Sequence, residues 1–437
     1  KRSPEAKSEA LLKAQPDLIL FAGGSDNGAS RSVLNLADLI CSAIQTIPTE
    51  SRPVVVYAGN TAVADLVRDR VERYTDIRVF PNVRPEIDRE DLSKAGAGVS
   101  SLVSQMQSGY VNGLDRIATI CNAPPEPSAS AAEKVIRFLS SVNDPEKGVL
   151  AFDIGSAGSY AIAGDQGETR MACFPYGTGF GLEEFLKKAS VESIQPWVMH
   201  SLQLEDLRDA LHQKALSPTS IPESQQALDI ELALARCLLR KMVREMRLRG
   251  NLIARAYDPI LVSGTTLTRA ASPQQILLTL LDGIQPAGIT TLILDKHSIL
   301  QSLGAAGSIQ PYLPVQVLES TAFANLATVV SPVSESHPGT EILKVRLEYE
   351  NGSFVEETIA QGTIMTLPLK QGESGKLFLH PLHRTAIEAA GLAEDFYKVN
   401  GGIMGVVIDA RGRPLEMPAN EQTRAELAFS WVRALGG

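Results

Sequence analysis

The sequence predicts an α/β protein with a β-rich C-terminal domain, and three observations carry this prediction. Short apolar runs alternate with longer amphipathic ones from Pro16 to about Asp144, as expected for a parallel sheet covered by helices. Two later strands end in glycine-containing turns, and strand patterns dominate beyond Pro311. At roughly 150 residues per domain, the 437 residues correspond to about three domains. We predict them at residues 1–145, 146–310 and 311–437.

In the first region, an apolar run over 18–21 reads as a buried strand that ends at Gly23-Gly24, and 32–44 has apolar residues at helical spacing. Because parallel neighbours need a crossover connection, this alternation predicts a parallel βαβ sheet. The other elements predicted here are strands at 53–57 and 77–80 and a helix at 61–74. A further helix that runs to Ser141 is predicted after the Pro-, Ser- and Ala-rich stretch 123–130, which caps it.

The second region begins with a strand at 149–153, and the patterns at 160–163 and 169–174 indicate antiparallel neighbours joined by glycine-containing turns. The longest predicted helix runs from Ala227 to Arg249 and ends at Gly250. We interpret the cations in its last turns as a solvated face that complements the helix dipole. These cations are Arg240, Lys241, Arg244, Arg247 and Arg249.

The third region alternates over 342–349 and 354–359 around the turn signal Glu350-Asn351-Gly352, which predicts a hairpin. The segment 409–414 is interpreted as a polar turn after a strand, and 422–435 as a terminal helix. This region is predicted to form a separate small β-rich domain.

Composition excludes several classes of protein. The formal net charge is −9 and no basic block is present, which argues against nucleic acid as a partner. No apolar run approaches the ~20 residues that span a bilayer. The four cysteines form no CxxC pair, so neither a zinc knuckle nor a disulfide framework is indicated, and a cytoplasmic protein is predicted. The first residue is Lys1 rather than Met, from which we expect a fragment or a processed product.

The strongest local signal is the small-residue turn that begins at Asp153. Its backbone N–H groups are predicted to cradle a phosphate, while Asp153 at the strand end holds Mg²⁺ through water. The alternative is a glycine-rich hairpin that binds no ligand. The residues predicted to bind nucleotide here are Asp153, Gly155, Ser156, Gly158 and Ser159.

A second turn, Ser263-Gly264-Thr265, ends a strand roughly a hundred residues later. The order of phosphate turn, long helices and strand–glycine turn resembles lobe II of the two-lobed ATPases that include actin, hexokinase and the heat-shock chaperones. In those proteins a turn at this position packs beside the adenosine. The resemblance therefore implies that Ser263, Gly264 and Thr265 lie near the nucleoside.

A third glycine-rich turn follows the first strand and opens a helix, where N–H groups can bind anions. It is neither a Walker A loop nor a G-x-G-x-x-G fingerprint. One interpretation is a structural βα turn whose polar residues cap the helix, and the other is a ligand-facing turn. The ligand-facing residues would be Gly23, Gly24, Ser25 and Asp26.

Longer runs make the chain similar to one family, the MutL-type protein associated with glutamate mutase, often called GlmL. These runs are 16–28, 58–60, 82–83, the Asp153 turn, 281–292 and 405–415. The resemblance implies the actin-like ATPase fold, related to ribonuclease H, with ATP and Mg²⁺ as ligands. It also implies an ATP-driven chaperone or reactivating factor whose partner is an adenosylcobalamin-dependent mutase.

The sequence departs from the family at two places. Family members have an acidic residue where Tyr160 stands, and the threonines of the turn are replaced, which affects metal positioning. The N-terminal phosphate turn of lobe I does not precede Asp17, so region 1–145 is predicted to be a partial lobe I. The alternative function is a degenerate pseudo-ATPase scaffold or interaction module. A small-molecule kinase is less favoured because no general-base Asp adjoins a substrate motif.

Overall fold

The computed structural model describes residues 3–110, 114–121, 126–252, 254, 256–388 and 395–436. The chain forms two compact units, Lys1–Pro127 and Ser128–Gly437, here called unit 1 and unit 2. Within the described residues, no helix is both long enough and apolar enough to span a membrane.

Unit 1 contains a three-stranded parallel sheet in the order β1-β2-β3. Its strands are β1 Leu18–Phe21, β2 Val54–Tyr57 and β3 Ile77–Val79. Its helices are α1 Pro4–Ala14, α2 Arg31–Gln45, α3 Ala64–Val71, α4 Ser93–Tyr110 and α5 Leu114–Ile120. The predicted βαβ alternation is confirmed here, because the buried faces of the strands and of α2 and α3 form one apolar core.

Unit 2 is built on an eight-stranded mixed sheet. The strands of unit 2 are β4 Gly148–Ile154, β5 Ser159–Asp165, β6 Glu168–Phe174, β7 Tyr257–Ser263, β8 Gly288–Asp295, β9 Phe323–Ser331, β10 Val333–Ser334, β11 Glu341–Tyr349, β12 Phe354–Ala360, β13 Ile364–Leu367, β14 Ser374–Pro381, β15 Thr385–Ala386, β16 Tyr397–Asn400 and β17 Val406–Asp409. Its helices are α6 Ser128–Val142, α7 Leu182–Leu186, α8 Leu204–Leu216, α9 Gln225–Leu248, α10 Thr265–Thr268, α11 Pro273–Ile284, α12 Leu300–Gly307, α13 Tyr312–Leu318 and α14 Glu421–Ala434.

The strand order of the large sheet is β13-β17-β9-β8-β7-β4-β5-β6. Strands β4, β5 and β6 are antiparallel neighbours, whereas β7 runs parallel to both β4 and β8. When the five strands of the block β6-β5-β4-β7-β8 are numbered 1 to 5 along the chain, their order across the sheet is therefore 3-2-1-4-5. Strands β9, β17 and β13 extend this block with residues from the predicted third domain, and the boundary between predicted domains at residue 310 stays a prediction.

The β-rich character of the C-terminal region is confirmed by a four-stranded antiparallel sheet in the order β12-β11-β14-β16. The predicted hairpin is β11 and β12, with Glu348 opposite Phe354. A separate apolar cluster lies between this sheet and the end of the large one, and it includes Leu343, Leu377 and Ile408.

Helix α9 shows how the helices cover the large sheet. Ser224 caps its N-terminus by accepting the N–H of Ala227 at 3.1 Å. The interpretation of its basic C-terminal turns as a wholly solvated face was wrong in part. The Arg240 guanidinium lies 4.6 Å from the centroid of the Trp197 ring and donates to the carbonyl oxygen of Asp282. Long cationic side chains thus cover apolar surface here rather than only facing water.

Candidate functional site

The two turns predicted from the sequence meet at one edge of the large sheet. Asp153 is the penultimate residue of β4, Ser263 ends the adjacent parallel strand β7, and the two residues are register partners. The Ser263 hydroxyl donates a hydrogen bond to Asp153 Oδ1. Since carboxyl ends of parallel strands lie at the same edge, the strand order brings together two turns that are far apart in sequence.

Gly264 allows the second turn to approach the first. Its φ of +134° is one that L side chains rarely adopt, and a Cβ at this position would lie 2.6 Å from the carbonyl oxygen of Ile154. Thr265 follows as the first residue of α10. The backbone of the Ser263 turn therefore packs directly against the strand that leads into the Asp153 turn.

The Asp153 turn is tight and open to solvent. A Cβ at Gly155 would lie 2.3 Å from the carbonyl oxygen of Gly158, so the turn closes only with glycine at this position. Ser156 is exposed at the tip. The Ser159 hydroxyl, in contrast, is buried and donates to the carbonyl oxygen of Tyr176 at 3.0 Å. Its side chain therefore supports the turn from within.

The segment from Tyr176 to Gly181 supports the Asp153 turn and was missed in the sequence. The N–H of Thr178 donates to the carbonyl oxygen of Gly155 at 3.0 Å, and the N–H groups of Gly179 and Gly181 donate to that of Ser156 at 3.0 and 2.9 Å. These three bonds fix the turn from one side, and its outer side stays open.

Three alternating glycines permit this support. A Cβ at Gly177 would lie 2.2 Å from the Gly155 carbonyl oxygen, one at Gly179 2.2 Å from Ser156 Oγ, and one at Gly181 2.3 Å from the Ala157 carbonyl oxygen. The spacing Gly-x-Gly-x-Gly after a strand was the signal that could have revealed the segment.

Burial raises the pKa of Asp153, and the nearby charge of Asp295 raises it further, while hydrogen bonds from Ser263 and Gln301 oppose both effects. Both of these bonds go to Oδ1, with Gln301 Nε2 at 3.4 Å. Oδ2 lies on the side of the turn, 3.8 Å from where a Cβ of Gly155 would be. One oxygen of the carboxylate is thus held by the protein while the other faces the turn.

Tyr160 lies opposite Asp153 across the β4–β5 pair. Its hydroxyl accepts a hydrogen bond from Gln301 Nε2 at 2.9 Å. Burial and the charge of Asp153 raise the pKa of Tyr160, so its phenol is neutral at physiological pH. It therefore supplies no second carboxylate to the turn, unlike the acidic residue of the family pattern.

Asp295 and Gln301 are further site residues that the sequence did not reveal. Asp295 ends β8, and its carboxylate accepts N–H groups from the segment that leads into α12, including that of Leu300 at 2.9 Å. Gln301 follows on α12, and its Oε1 is buried without a hydrogen-bond partner among the described residues. Helix α12 therefore brings an amide to Asp153, and the end of β8 brings a negative charge.

A cavity of about 360 Å³ opens beside α10 and the N-terminus of α9. It is lined by Ile221, Pro222, Glu223, Ser224, Gln225, Leu228 and Arg269. The loop before it approaches the Asp153 turn, because a Cβ at Gly179 would lie 2.6 Å from the carbonyl oxygen of Pro218. The volume falls in the range of small-molecule sites, and Arg269 and Ser224 add polar groups.

The donor set fits Mg²⁺ held mainly by a ligand's phosphates. Among the described residues, no cluster of three or more His, Cys, Asp or Glu side chains could hold a metal. Mg²⁺ commonly keeps several waters and uses one or two carboxylates together with substrate phosphates. Asp153 Oδ2, facing the turn, is suited to this role.

The turn of Gly23, Gly24, Ser25 and Asp26, which is the third glycine-rich turn of the sequence, belongs to unit 1 and follows β1.

The block β6-β5-β4-β7-β8 has three antiparallel strands followed by two parallel ones, with glycine turns after its first and fourth strands in sequence, and this strand order defines a lobe of the ribonuclease H-like fold class. The particular family follows from the sequence. The family model described as MutL protein matches residues 2–322, and the chain belongs to this glutamate-mutase-associated family.

The solved structures that resemble the chain do so only distantly. The activator of 2-hydroxyisocaproyl-CoA dehydratase from Clostridium difficile, with bound ADPNP, is 14% identical at a TM-score of 0.25, covering 68% of this chain and 87% of its own. Acetate kinase from Entamoeba histolytica is 12% identical at 0.24, covering 71% and 85%. Component A of (R)-2-hydroxyglutaryl-CoA dehydratase from Acidaminococcus fermentans is 12% identical at 0.24, covering 68% and 87%. No curated protein sequence matches the chain.

Proposed function

We propose that unit 2 binds a nucleotide, with Mg-ATP as the physiological ligand. The observation that carries this proposal is the pairing of Asp153 with Ser263 at the ends of adjacent parallel strands. It joins a turn suited to phosphate with a turn suited to a nucleoside. Membership of the MutL family and the class of fold support the same ligand.

In this proposal the backbone N–H groups of the turn from Gly155 through Ser156 and Gly158 to Ser159 bind the terminal phosphates. Nests of backbone N–H groups are suited to anions. Asp153 Oδ2 would hold Mg²⁺ through a water, and Ser263, Gly264 and Thr265 would lie near the nucleoside. The bound Mg²⁺ would neutralise phosphate charge.

The nucleoside would occupy the cavity between α10 and the N-terminus of α9. Arg269 is its cation, and a guanidinium can stack on a planar base. Ser224 is committed to capping α9, so Gln225 and Glu223 are the side chains left to contact the sugar or base edge.

At the level of the cell, we infer an ATP-driven chaperone or reactivating factor for an adenosylcobalamin-dependent mutase in the cytoplasm. The support is family membership, since the name of the MutL family suggests association with a glutamate mutase. Co-purification with such a mutase, followed by ATP-dependent release of inactivated cobalamin, would test the role. A mutase whose cobalamin is released equally well without this protein would contradict it.

The second candidate is a pseudo-ATPase scaffold that binds nucleotide without efficient hydrolysis. Tyr160 favours this candidate, because a neutral phenol stands in place of the second carboxylate and accepts a hydrogen bond from the Gln301 amide. Phosphate release separates the candidates: measurable turnover supports the ATPase, and binding without turnover supports the scaffold.

Isothermal titration of the full chain with Mg-ATP and Mg-ADP tests the site itself. We expect binding that Asp153→Asn weakens by about tenfold or more, the equivalent of one charged hydrogen bond. The matched control is Asp165→Asn, which removes a carboxylate from the opposite end of β5. If neither nucleotide binds, or if both variants bind alike, the nucleotide proposal is wrong.

A further inference from the structure

Three loops meet at the carboxyl edge of the sheet in unit 1. The N–H of Asn60, after β2, donates to the carbonyl oxygen of Gly23, after β1, at 3.0 Å. The N–H of Val83, after β3, donates to the carbonyl oxygen of Ala58 at 3.1 Å. In open α/β sheets this edge is where ligands bind.

Asp26 places a negative charge in this loop cluster. Its Oδ1 accepts the N–H of Thr61 at 2.9 Å and Nδ2 of Asn82 at 2.9 Å. Burial opposes ionisation, but these hydrogen bonds prevail and hold the pKa of Asp26 below its usual value. Asn82 is 4% exposed and also donates to the carbonyl oxygen of Gly24 at 3.0 Å. The carboxylate is therefore ionised, oriented and half-buried.

Asn60 supplies a donor that the protein itself does not use. Its side chain is fully buried, and its Oδ1 accepts the N–H groups of Asn27 at 3.2 Å and Ala62 at 3.0 Å. These two bonds fix which end of the amide is oxygen. Nδ2 is then a buried donor without a partner among the described residues. Such groups are rare in folded proteins and call for a specific explanation.

The amide of Asn60 lies within the loop cluster. Its Cβ would be 3.3 Å from a Cβ at Gly24, and its bond to Asn27 joins it to the loop that contains Asp26. The same loop opens α2, a helix of 15 residues. Ser30 makes no side-chain capping bond there, since its hydroxyl donates to the carbonyl oxygen of Gly28. The first-turn N–H groups of α2 thus remain available to an anion.

We propose that this edge of unit 1 is a binding site for a free α-amino acid, separate from the nucleotide site of unit 2. The ligand's carboxylate takes the N-terminus of α2 and Asn60 Nδ2, and its ammonium group pairs with Asp26. The exposed corner at Asn27 and Gly28 is joined to Asn60 through the Asn27 N–H, and binding of the carboxylate to Asn60 requires this corner to move aside. A phosphate fits less well, because Asp26 would repel its additional charge.

Isothermal titration of the full chain with each proteinogenic L-amino acid tests the proposal. For comparison, the same titration is made with the amine that lacks the carboxylate, with the acid that lacks the amino group, and with inorganic phosphate. We expect at least one amino acid to bind, and Asp26→Asn to weaken it by about tenfold or more. Asp26→Asn keeps the Oδ1 acceptor and removes only the charge. Asp65→Asn, on the exposed face of α3, is the matched control and should bind as the parent does.

A second variant, Asn60→Asp, keeps Oδ1 and exchanges the free donor for an acceptor, so it should also weaken binding. The proposal is overturned if no amino acid binds. It is equally overturned if phosphate or the deaminated acid binds as tightly as the amino acid, or if Asp26→Asn has no effect. Mg-ATP binding should be unchanged in Asp26→Asn, which separates this proposal from that for unit 2.

Discussion

Asp153 and Ser263 are register partners on adjacent parallel strands, and the serine hydroxyl donates to Oδ1 of the carboxylate. This arrangement leaves the two oxygens of Asp153 in different roles. Oδ1 is held by the protein, and Oδ2 is on the side of the open turn. A half-buried carboxylate held in this way is costly for the fold and useful for a cation.

We predict that Asp153→Asn stabilises unit 2 at neutral pH while weakening nucleotide binding. Because the pKa of Asp153 is raised in the folded state, the stability gained from protonating it is fully present below the ordinary Asp pKa. That stability is lost as the pH rises through the folded value. The gain from Asn should therefore be present at pH 7 and vanish in acid.

Urea unfolding followed by tryptophan fluorescence measures this effect, because both tryptophans, Trp197 and Trp431, belong to unit 2. Asp165→Asn provides the control for charge removal. A stability gain that persists unchanged at low pH would mean that the charge of Asp153 is not its cause.

We predict that Gly264→Ala destabilises unit 2 by about 1–3 kcal/mol. Two causes combine, the φ of +134° and the approach of a Cβ to 2.6 Å from the Ile154 carbonyl oxygen. The matched control is Gly250→Ala, whose φ is +66° but whose Cβ would meet nothing within 4 Å. This control measures the cost of a positive φ alone, without a close contact of the added Cβ. Equal losses in urea unfolding for the two variants would contradict a role for the packing of the turns.

The elements of the candidate site followed from local patterns, whereas its assembly did not. The strand that ends at Asp153 and the glycine turn after Ser263 were both recognisable by their apolar runs and small residues. Their adjacency depends on β7 pairing with β4 rather than with an intervening strand, which long-range packing decides. Gln301 reaches Asp153 from 148 residues away, and no local pattern indicates that contact.

The segment 409–414 shows the same limit more sharply. It was interpreted as a polar turn, and it is a turn, but its charges are buried. Arg411 donates to both Asp409 and Asp282, the latter 129 residues away in sequence. Arg236 pairs with Asp282 from α9. Charged residues in a sequence are expected to be exposed, and only the contacts made in the folded structure reveal a buried network of ion pairs.

We predict that Gly179→Ala weakens nucleotide binding more than it destabilises the fold. An added Cβ would lie 2.2 Å from Ser156 Oγ and 2.6 Å from the Pro218 carbonyl oxygen, so it pushes the supporting segment away from the exposed side of the turn. We expect the Mg-ATP affinity to fall by about tenfold, because displacement of a binding group costs roughly one hydrogen bond.

The control for Gly179→Ala is Gly167→Ala, in the β5–β6 turn of the same sheet, where the nearest atom to an added Cβ is the Ser141 Cβ at 3.5 Å. The φ of +84° at Gly167 strains an alanine, so this variant destabilises the fold away from the site and should leave the Mg-ATP affinity unchanged. Isothermal titration and urea unfolding are measured on both variants. Unchanged affinity in Gly179→Ala, with normal folding, would show that the segment 176–181 has no part in the site.

We predict that Arg411→Met destabilises unit 2 by about 3–5 kcal/mol, because it leaves Asp282 and Asp409 short of a buried partner. Burial would raise the pKa of Asp409, but Arg411 and Arg413 hold it well below the usual range. The stability from this pairing is present above the ordinary Asp pKa and is lost as the pH falls towards the folded value. The difference between parent and variant should therefore shrink in strong acid.

Arg208→Met is the control for Arg411→Met, because it removes an exposed ion pair with Glu192, and exposed pairs contribute little to stability. Arg411 lies 4.7 Å from the ring of Trp431, so its loss can change the fluorescence baseline. Circular dichroism during urea unfolding is for that reason the second probe. A loss no larger than that of Arg208→Met would mean that the buried charges relax to water when Arg411 is removed. The turn at 409–414 would then contribute little to holding β17 and α11 together.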